Sequence, residues 1–361
     1  GPLSVTLGII YHGVVNRLSY HGVAKRQGQQ HWGNNGEHMT VLVTGAAGFI
    51  GYHTCKALLE AGRHVIGIDN LNDYYEVSLK QARLAQLQEA KGFEFTKLDI
   101  ADRDAVAALV AAHPAVSEVI HLAAQAGVRY SLVNPFAYLH ANVEGHLVLL
   151  EAARGLKDLK HFVYASSSSV YGDSLELPLA VGDSTDSPKS LYGATKKTME
   201  LFSHAYAGLY GLPQTGLRFF TVYGPWGRPD MAPMIFSRKI FANEPIDVFN
   251  NGEMARDFTY IDDIVAGVVS CLDKPPSDGV TNPIYNIGNN NAEPLMRFIA
   301  ILEDALGVKA EINFKPMQPG DVKETYANID ATRRDFGFEP KTSLDEGVPR
   351  FVEWYRGYYG V

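Results

Sequence analysis

From Met39 onward, short apolar runs alternate with longer segments whose apolar positions recur at helical spacing. TVLVT (40–44) reads as a buried strand, and FIGYHTCKALLEAG (49–62) as a helix stopped by Gly62. HVIGID (64–69) is the next strand, followed by a polar helix near Leu79 to Ala90. FEFTKLD (93–99) predicts a third strand, and DRDAVAALVAAH (102–113) a helix with Asp102 as its N-cap. EVIHLAA (118–124) predicts a fourth strand, with a long helix over about Phe136 to Arg154. HFVYASS (161–167) and QTGLRFF (214–220) predict two more strands, flanking a long helix that begins at SLYGATKK (190–197).

Apolar strands alternating with helices predict an α/β fold: a Rossmann-type doubly wound parallel sheet, with ligands at the carboxyl ends of its strands. After Tyr223 the alternation breaks at GPWGRPDMAP (224–233). Shorter mixed elements follow and end in the aromatic helix VPRFVEWYRGYY. The expected organisation is a cofactor domain over 39–223, carrying the reacting residues, and a smaller C-terminal α/β substrate-binding lobe over 224–361. No internal repeat is visible.

Composition narrows the function. The 361 residues are 46% hydrophobic, ample for a large core. A net charge of -8 argues against nucleic acid as a partner. Cys55 and Cys271 give no disulfide framework and no metal spacing, and they fit a cytoplasmic setting. No apolar run approaches the ~20 residues that span a bilayer. Residues 1–38 are polar, with His12, His21, His31 and His38 scattered among Gly and Asn. They read as a disordered extension, a remnant of a cleaved fusion beginning Gly1-Pro2, or translation from an upstream start.

TGAAGFIG sets Gly45, Gly48 and Gly51 three apart between a strand and a helix. The first permits a tight turn, the second brings backbone to a pyrophosphate at the helix N-terminus, and the third packs helix on strand. Phe49 and Ile50 complete that loop. Asp69 ends the second strand, eighteen positions after Gly51, where a carboxylate accepts the adenosine ribose hydroxyls and repels a 2′-phosphate. This favours NAD, with Asn70 and Asn72 assisting. Asp99 and Ile100 are placed near the adenine, and Leu122, Ala123 and Ala124 give a small strand end over which the cofactor lies. His121 reads as structural.

Tyr192 and Lys196 are four apart and share a helix face. A phenol near an ammonium and a positive nicotinamide ring is expected to have its pKa lowered, making it a base for a sugar hydroxyl. Tyr-x-x-x-Lys alone is common by chance. The serine run Ser166–Ser169 closes the fifth strand about 25 residues upstream, and a hydroxyl there bridges substrate oxygen and phenol.

This combination resembles the extended short-chain dehydrogenase/reductase family over nearly the whole chain from Met39. The resemblance implies that Ser167, Tyr192 and Lys196 are catalytic, with Ser168 and Ser169 sharing the hydroxyl role or contacting substrate. DNLNDYYEVSLKQARL, HLAAQAGVRYS, RFFTVYGPWGRPDMAP and ARDFTYIDDIV are similar to the UDP-glucuronate 4-epimerase branch. Dehydratases of the family carry Asp-Glu where Ser168-Ser169 stands, and galactose-type epimerases carry Asn where Thr221 stands. The implied activity is oxidation of the sugar at C4, turning of the 4-keto sugar, and reduction from the other face. Thr221, Ser169 and Arg228 are expected at the uronate carboxylate; Arg129 and Arg256 at the diphosphate or sugar; Asp321 at a ribose or orienting Arg256. Gln318 stands where relatives often carry arginine. The resemblance also implies a homodimer through a four-helix bundle. The rival activities are UDP-glucuronate decarboxylation and UDP-glucose 4-epimerisation, and from another class a non-catalytic NAD sensor, which would commonly lack the tyrosine or lysine.

Overall fold

A computed structural model describes residues 39–174, 176–277 and 282–361. The expectations placed on residues 1–38 lie outside the described residues. In chain order the first half runs β1 (Thr40–Thr44), α1 (Phe49–Glu60), β2 (His64–Asp69), α2 (Val77–Gln88), β3 (Phe93–Lys97), α3 (Arg103–Ala112) and β4 (Val116–His121). It continues with α4 (Pro135–Tyr138), α5 (Gly145–Ala153), β5 (His161–Ser167), α6 (Leu191–Tyr210) and β6 (Gln214–Phe219). The single helix expected over Phe136–Arg154 is α4 and α5 joined by a π-helical stretch, Leu139–Glu144.

These strands and a later one, β10 (Ile284–Ile287), form one parallel sheet in the order β10-β6-β5-β4-β1-β2-β3. The strands stay parallel, but the direction in which successive strands are laid down reverses between β1 and β4, so a crevice opens at their carboxyl ends. Side chains along β1 alternate between the faces. Val41 and Val43 pack with Tyr52, Cys55 and Leu58 of α1, whereas Leu42 packs with Val106, Leu149 and Met199 of the opposite layer. Both faces are therefore apolar, and each buried Leu or Val contributes about 1.5–3 kcal/mol.

The remaining chain gives β7 (Thr221–Tyr223), α7 (Ala232–Phe241), β8 (Ile246–Val248), β9 (Ala255–Tyr260) and α8 (Ile261–Leu272). Then come β10 (Ile284–Ile287), β11 (Ala292–Pro294), α9 (Leu295–Leu306), β12 (Ile312–Phe314), β13 (Glu324–Thr325), α10 (Asp330–Phe336) and α11 (Leu344–Tyr359). β10 departs from the expected division at residue 223: it returns to the main sheet and pairs in parallel with β6. β9 gathers β7, β11 and β13 into a small second sheet, and β8 pairs with β12.

Helix ends follow local chemistry. Asp102 accepts Ala105 N at 3.0 Å, capping α3. Ser190, the N-cap of α6 two residues before Tyr192, accepts Gly193 N through its Oγ at 3.0 Å. Gly211, left-handed at φ 66°, stops it.

Candidate active site

The turn after β1 is built around its glycines. Gly45 has φ +73°, and a Cβ there would sit 2.8 Å from Ala123 N, at the end of β4. A Cβ on Gly51 would come within 1.9 Å of Gly45 O. Thr44 Oγ1 ties the two strand ends together, accepting Leu122 N at 3.1 Å and Ala123 N at 3.0 Å. Gly48 is the N-cap of α1 and offers no side chain to its first turn. The first-turn amides are thus left for an anion, as a pyrophosphate requires.

Asp69 at the end of β2 accepts Ala47 N at 3.1 Å and Leu71 N at 2.8 Å. Burial raises its pKa; the two amides, Lys80 and Arg83 pull the other way. Asn70 Nδ2 donates to Asp99 at 3.3 Å, and Asp99 also accepts Ala101 N at 2.9 Å. Asn72 is engaged by Lys80, whose ammonium donates to its carbonyl and its Oδ1, both at 2.7 Å.

Ser167 closes β5; its Oγ accepts Ser169 N at 3.1 Å and donates to Ser169 Oγ at 3.2 Å. Tyr192 lies in the first turn of α6, and Lys196, one turn on, donates to Ala165 O at 2.8 Å. Lys196 Nζ is 6.0 Å from the Tyr192 ring centre. The expected lowering of the tyrosine pKa is not present in the protein alone. Burial raises it, against the Ser167 hydroxyl and Arg228, which lower it. Burial also draws Lys196 down to about 7, and Glu200 opposes this.

A cleft of about 420 Å³ is lined by Gly45, Gly48, Phe49, Ile50, Gly51, Asp69, Asn70, Asn72, Asp99, Ile100, Leu122, Ala123 and Ala124. Ser167, Ser168, Ser169, Tyr192, Lys196, Thr221, Arg228, Arg256 and Asp321 line the same cleft. Residues 41–288 match the sequence model of the NAD dependent epimerase/dehydratase family. The chain belongs to that family. NAD is accordingly its cofactor, and the uncapped glycine turn and Asp69 fit such a dinucleotide.

Within this epimerase family the chain is 46% identical over 337 residues to a probable UDP-glucuronate 4-epimerase of Rhizobium meliloti, covering 89% of this chain and 98% of that one. It is 47% identical over 334 residues to UDP-glucuronate 4-epimerase 2 of Arabidopsis thaliana, covering 89% and 76%. A crystal structure of UDP-glucuronic acid 4-epimerase from Bacillus cereus, in complex with UDP-glucuronic acid and NAD, superposes with TM-score 0.83 at 35% identity, covering 89% and 100%.

Several contacts of this epimerase-family cleft differ from expectation. Asp321 accepts from Arg129 at 3.2 Å rather than orienting Arg256 by a direct bond. Arg129 itself is not among the residues lining the cleft; its guanidinium stacks 4.6 Å over the Phe249 ring. Arg256 Nη1 donates to Ala255 O at 2.9 Å and Lys323 O at 3.1 Å, and burial lowers its pKa. Arg228 is not free: its Nε and Nη2 bond Asp230 at 3.0 and 2.5 Å, and Tyr74 donates to Asp230 at 2.9 Å. Arg228 and Asp230 both act electrostatically on Tyr192.

Sequence reasoning missed Tyr74, Asp230, Lys80 and Arg83. Arg83 is fully buried and joins two loops, donating to Ala47 O at 3.0 Å and Trp226 O at 2.6 Å. Lys80 and Arg83 are three apart on a helix, a spacing that marks one face. Nothing local announces that Tyr74 meets Asp230, 156 residues away. His121 is buried and bonded to Thr44 Oγ1 at 2.7 Å, a structural setting.

Proposed function

We propose that this chain interconverts UDP-glucuronate and UDP-galacturonate by reversible oxidation at C4. The observation that carries this reading is the convergence of Ser167, Tyr192 and Lys196 with the glycine turn, Thr221 and Arg228 on one cleft. Bound NAD supplies the reversible oxidation of the C4 alcohol. The uncapped turn at Gly48 holds its pyrophosphate and Asp69 its adenosine ribose. Tyr192 takes the proton from O4′ and returns it after the sugar has turned. Lys196 stabilises the phenolate, which burial alone disfavours. Ser167 orients O4′ beside the phenol. Thr221, Ser168, Ser169 and Arg228 face the uronate, and Arg256, with Asp321 and Arg129 at the rim, faces the nucleotide.

A C4 ketone lies β to the C6 carboxylate, an arrangement prone to lose carbon dioxide. An epimerase must hold that carboxylate out of line with the ketone. Arg228, fixed edge-on by Asp230, serves as such a holder. Incubating the NAD-loaded protein with UDP-glucuronate and following products by NMR tests the reading. UDP-galacturonate is expected. A pentose nucleotide as main product would replace it with the decarboxylase reading, and turnover confined to UDP-glucose with a galactose-type epimerase.

The assembly proposed is a homodimer through a four-helix bundle. Leu132, Val133 and Phe136 at the start of the α4–α5 run, and Leu209 on α6, are each 69–76% exposed. Such an apolar face is what a second copy would cover. A monomer in sedimentation at micromolar concentration would remove this proposal. The cytoplasmic assignment likewise rests on buried thiols, Cys55 and Cys271, neither in a disulfide. Among the described residues, no helix is long and apolar enough to cross a membrane.

A further inference from the structure

Glu200 is a buried charge that the chemistry at Tyr192 leaves unused. Tyr192, Lys196 and Glu200 recur every four residues, so they form one row along α6. That row meets three consecutive residues of β5. Tyr192 stands beside Ser167, Lys196 Nζ donates to Ala165 O at 2.8 Å, and Ser166 Oγ donates to Glu200 Oε1 at 2.6 Å. Arg218 of β6 clamps the last rung from the far side, with Nε to Oε1 at 2.8 Å and Nη2 to Oε2 at 2.9 Å. The two side chains are only 2% and 4% exposed. Asn282 Nδ2 also donates to the Glu200 carbonyl at 3.3 Å. Stability does not demand an ion pair here, since packed apolar residues of similar volume commonly do as well or better. A bidentate pair does supply a fixed geometry and a fixed charge.

We propose that Glu200, clamped by Arg218 and Ser166, is a positioning residue for proton transfer at Tyr192. It sets the sliding register of α6 on β5 and keeps a negative charge one helical turn from the Lys196 ammonium. The substrate used to test this rests on the epimerase reading.

The surroundings of Lys196 leave this part to Glu200. From β4 it is faced by His121 and from α5 by His146, and burial lowers both, His146 to about 3, so both are neutral near pH 7. On its own helix stand Tyr192 and Glu200. Glu200 in turn is faced by Arg218, by Lys197 at 3.9 Å, and by the hydroxyls of Tyr164 and Tyr171. Removing its charge makes the Lys196 proton easier to lose. The alkaline limb of a kcat profile that needs that proton therefore moves to lower pH.

The test compares the NAD-loaded parent with Glu200→Gln, measuring kcat, KM and bound NAD from about pH 6 to 10. Expected are a kcat roughly tenfold lower at pH 8, KM within about twofold, unchanged NAD per chain, and an alkaline limb about one unit lower. Glu200→Gln leaves Arg218 buried without its partner. The double variant Glu200→Gln/Arg218→Met removes that burden and should still show the displaced limb at the parent's Tm. An alkaline limb at the parent's pH in whichever variant folds overturns the proposal. So does a kcat loss that merely tracks lost NAD or lost Tm. The parent's own product decides the epimerase reading; only the variant-to-parent ratio decides this one, on any nucleotide sugar the parent turns over.

Discussion

The glycine turn and the Arg228 cluster are built by opposite means. The turn offers backbone: the first-turn amides of α1 are left uncapped because its N-cap, Gly48, has no side chain. The cluster offers side chains, Tyr74 from the segment after β2 and Arg228 and Asp230 from the loop after β7, locked to one another by ion pair and hydroxyl. The first is spoiled by adding an atom, the second by removing a charge. A backbone-made site is also local in sequence, whereas a side-chain-made site is assembled from afar.

Tyr192 belongs to neither, and Arg228 and Asp230 act on it electrostatically. Tyr192→Phe should lower kcat by about 10²- to 10⁴-fold while NAD stays bound, as checked by product NMR and by absorbance of the released cofactor. Activity at the parent's level would dismiss this residue as the base. Gly51→Ala attacks the turn, since its new Cβ meets Gly45 O at 1.9 Å. It should cost about 3 kcal/mol in urea unfolding and empty the NAD site. A variant that keeps its NAD and its stability would show that the turn does not depend on close packing.

His53 bridges the two regions. It sits on α1, directly behind the turn, and its Nε2 lies 2.8 Å from Pro225 O in the Arg228 loop. Burial lowers its pKa to about 4. Between that value and the unfolded value near 6.5 the unfolded chain binds the proton and the folded chain does not. Stability therefore falls as pH drops through 6.5, by roughly 2 kcal/mol at pH 5. His53→Asn should flatten this slope of Tm against pH, and an unaltered slope would mean the histidine is not buried neutral. Asp230→Asn is the mildest change. It loosens Arg228 and should raise KM for UDP-glucuronate about tenfold, some 1.4 kcal/mol, with NAD content unchanged. A KM that does not move would separate Arg228 from the uronate.

The same contrast explains what could be read from the chain. The strands of the main sheet from β1 to β6, the glycine turn, Asp69 and the Tyr192–Lys196 spacing are all written within short windows. The Asp102 and Ser190 caps follow the same local rules. What escaped was tertiary: Arg83 reaching Trp226 O, Tyr74 reaching Asp230, Asp321 choosing Arg129. Burial escaped as well. The local pattern promised a phenol with lowered pKa, but desolvation, which depends on everything packed around α6, moves it the other way.

β10 has a consequence for how the chain comes into being. The strand Ile284–Ile287 covers the outer edge of β6, more than sixty residues after that strand ends. During synthesis the unfinished sheet thus presents the backbone donors and acceptors of β6 to whatever is near, until residue 287 has left the ribosome. Open strand edges of that kind invite pairing between chains. A nascent chain stalled before residue 280 would be a client for chaperones, and a gene fragment ending at Tyr223 would yield aggregates rather than a small dinucleotide-binding protein.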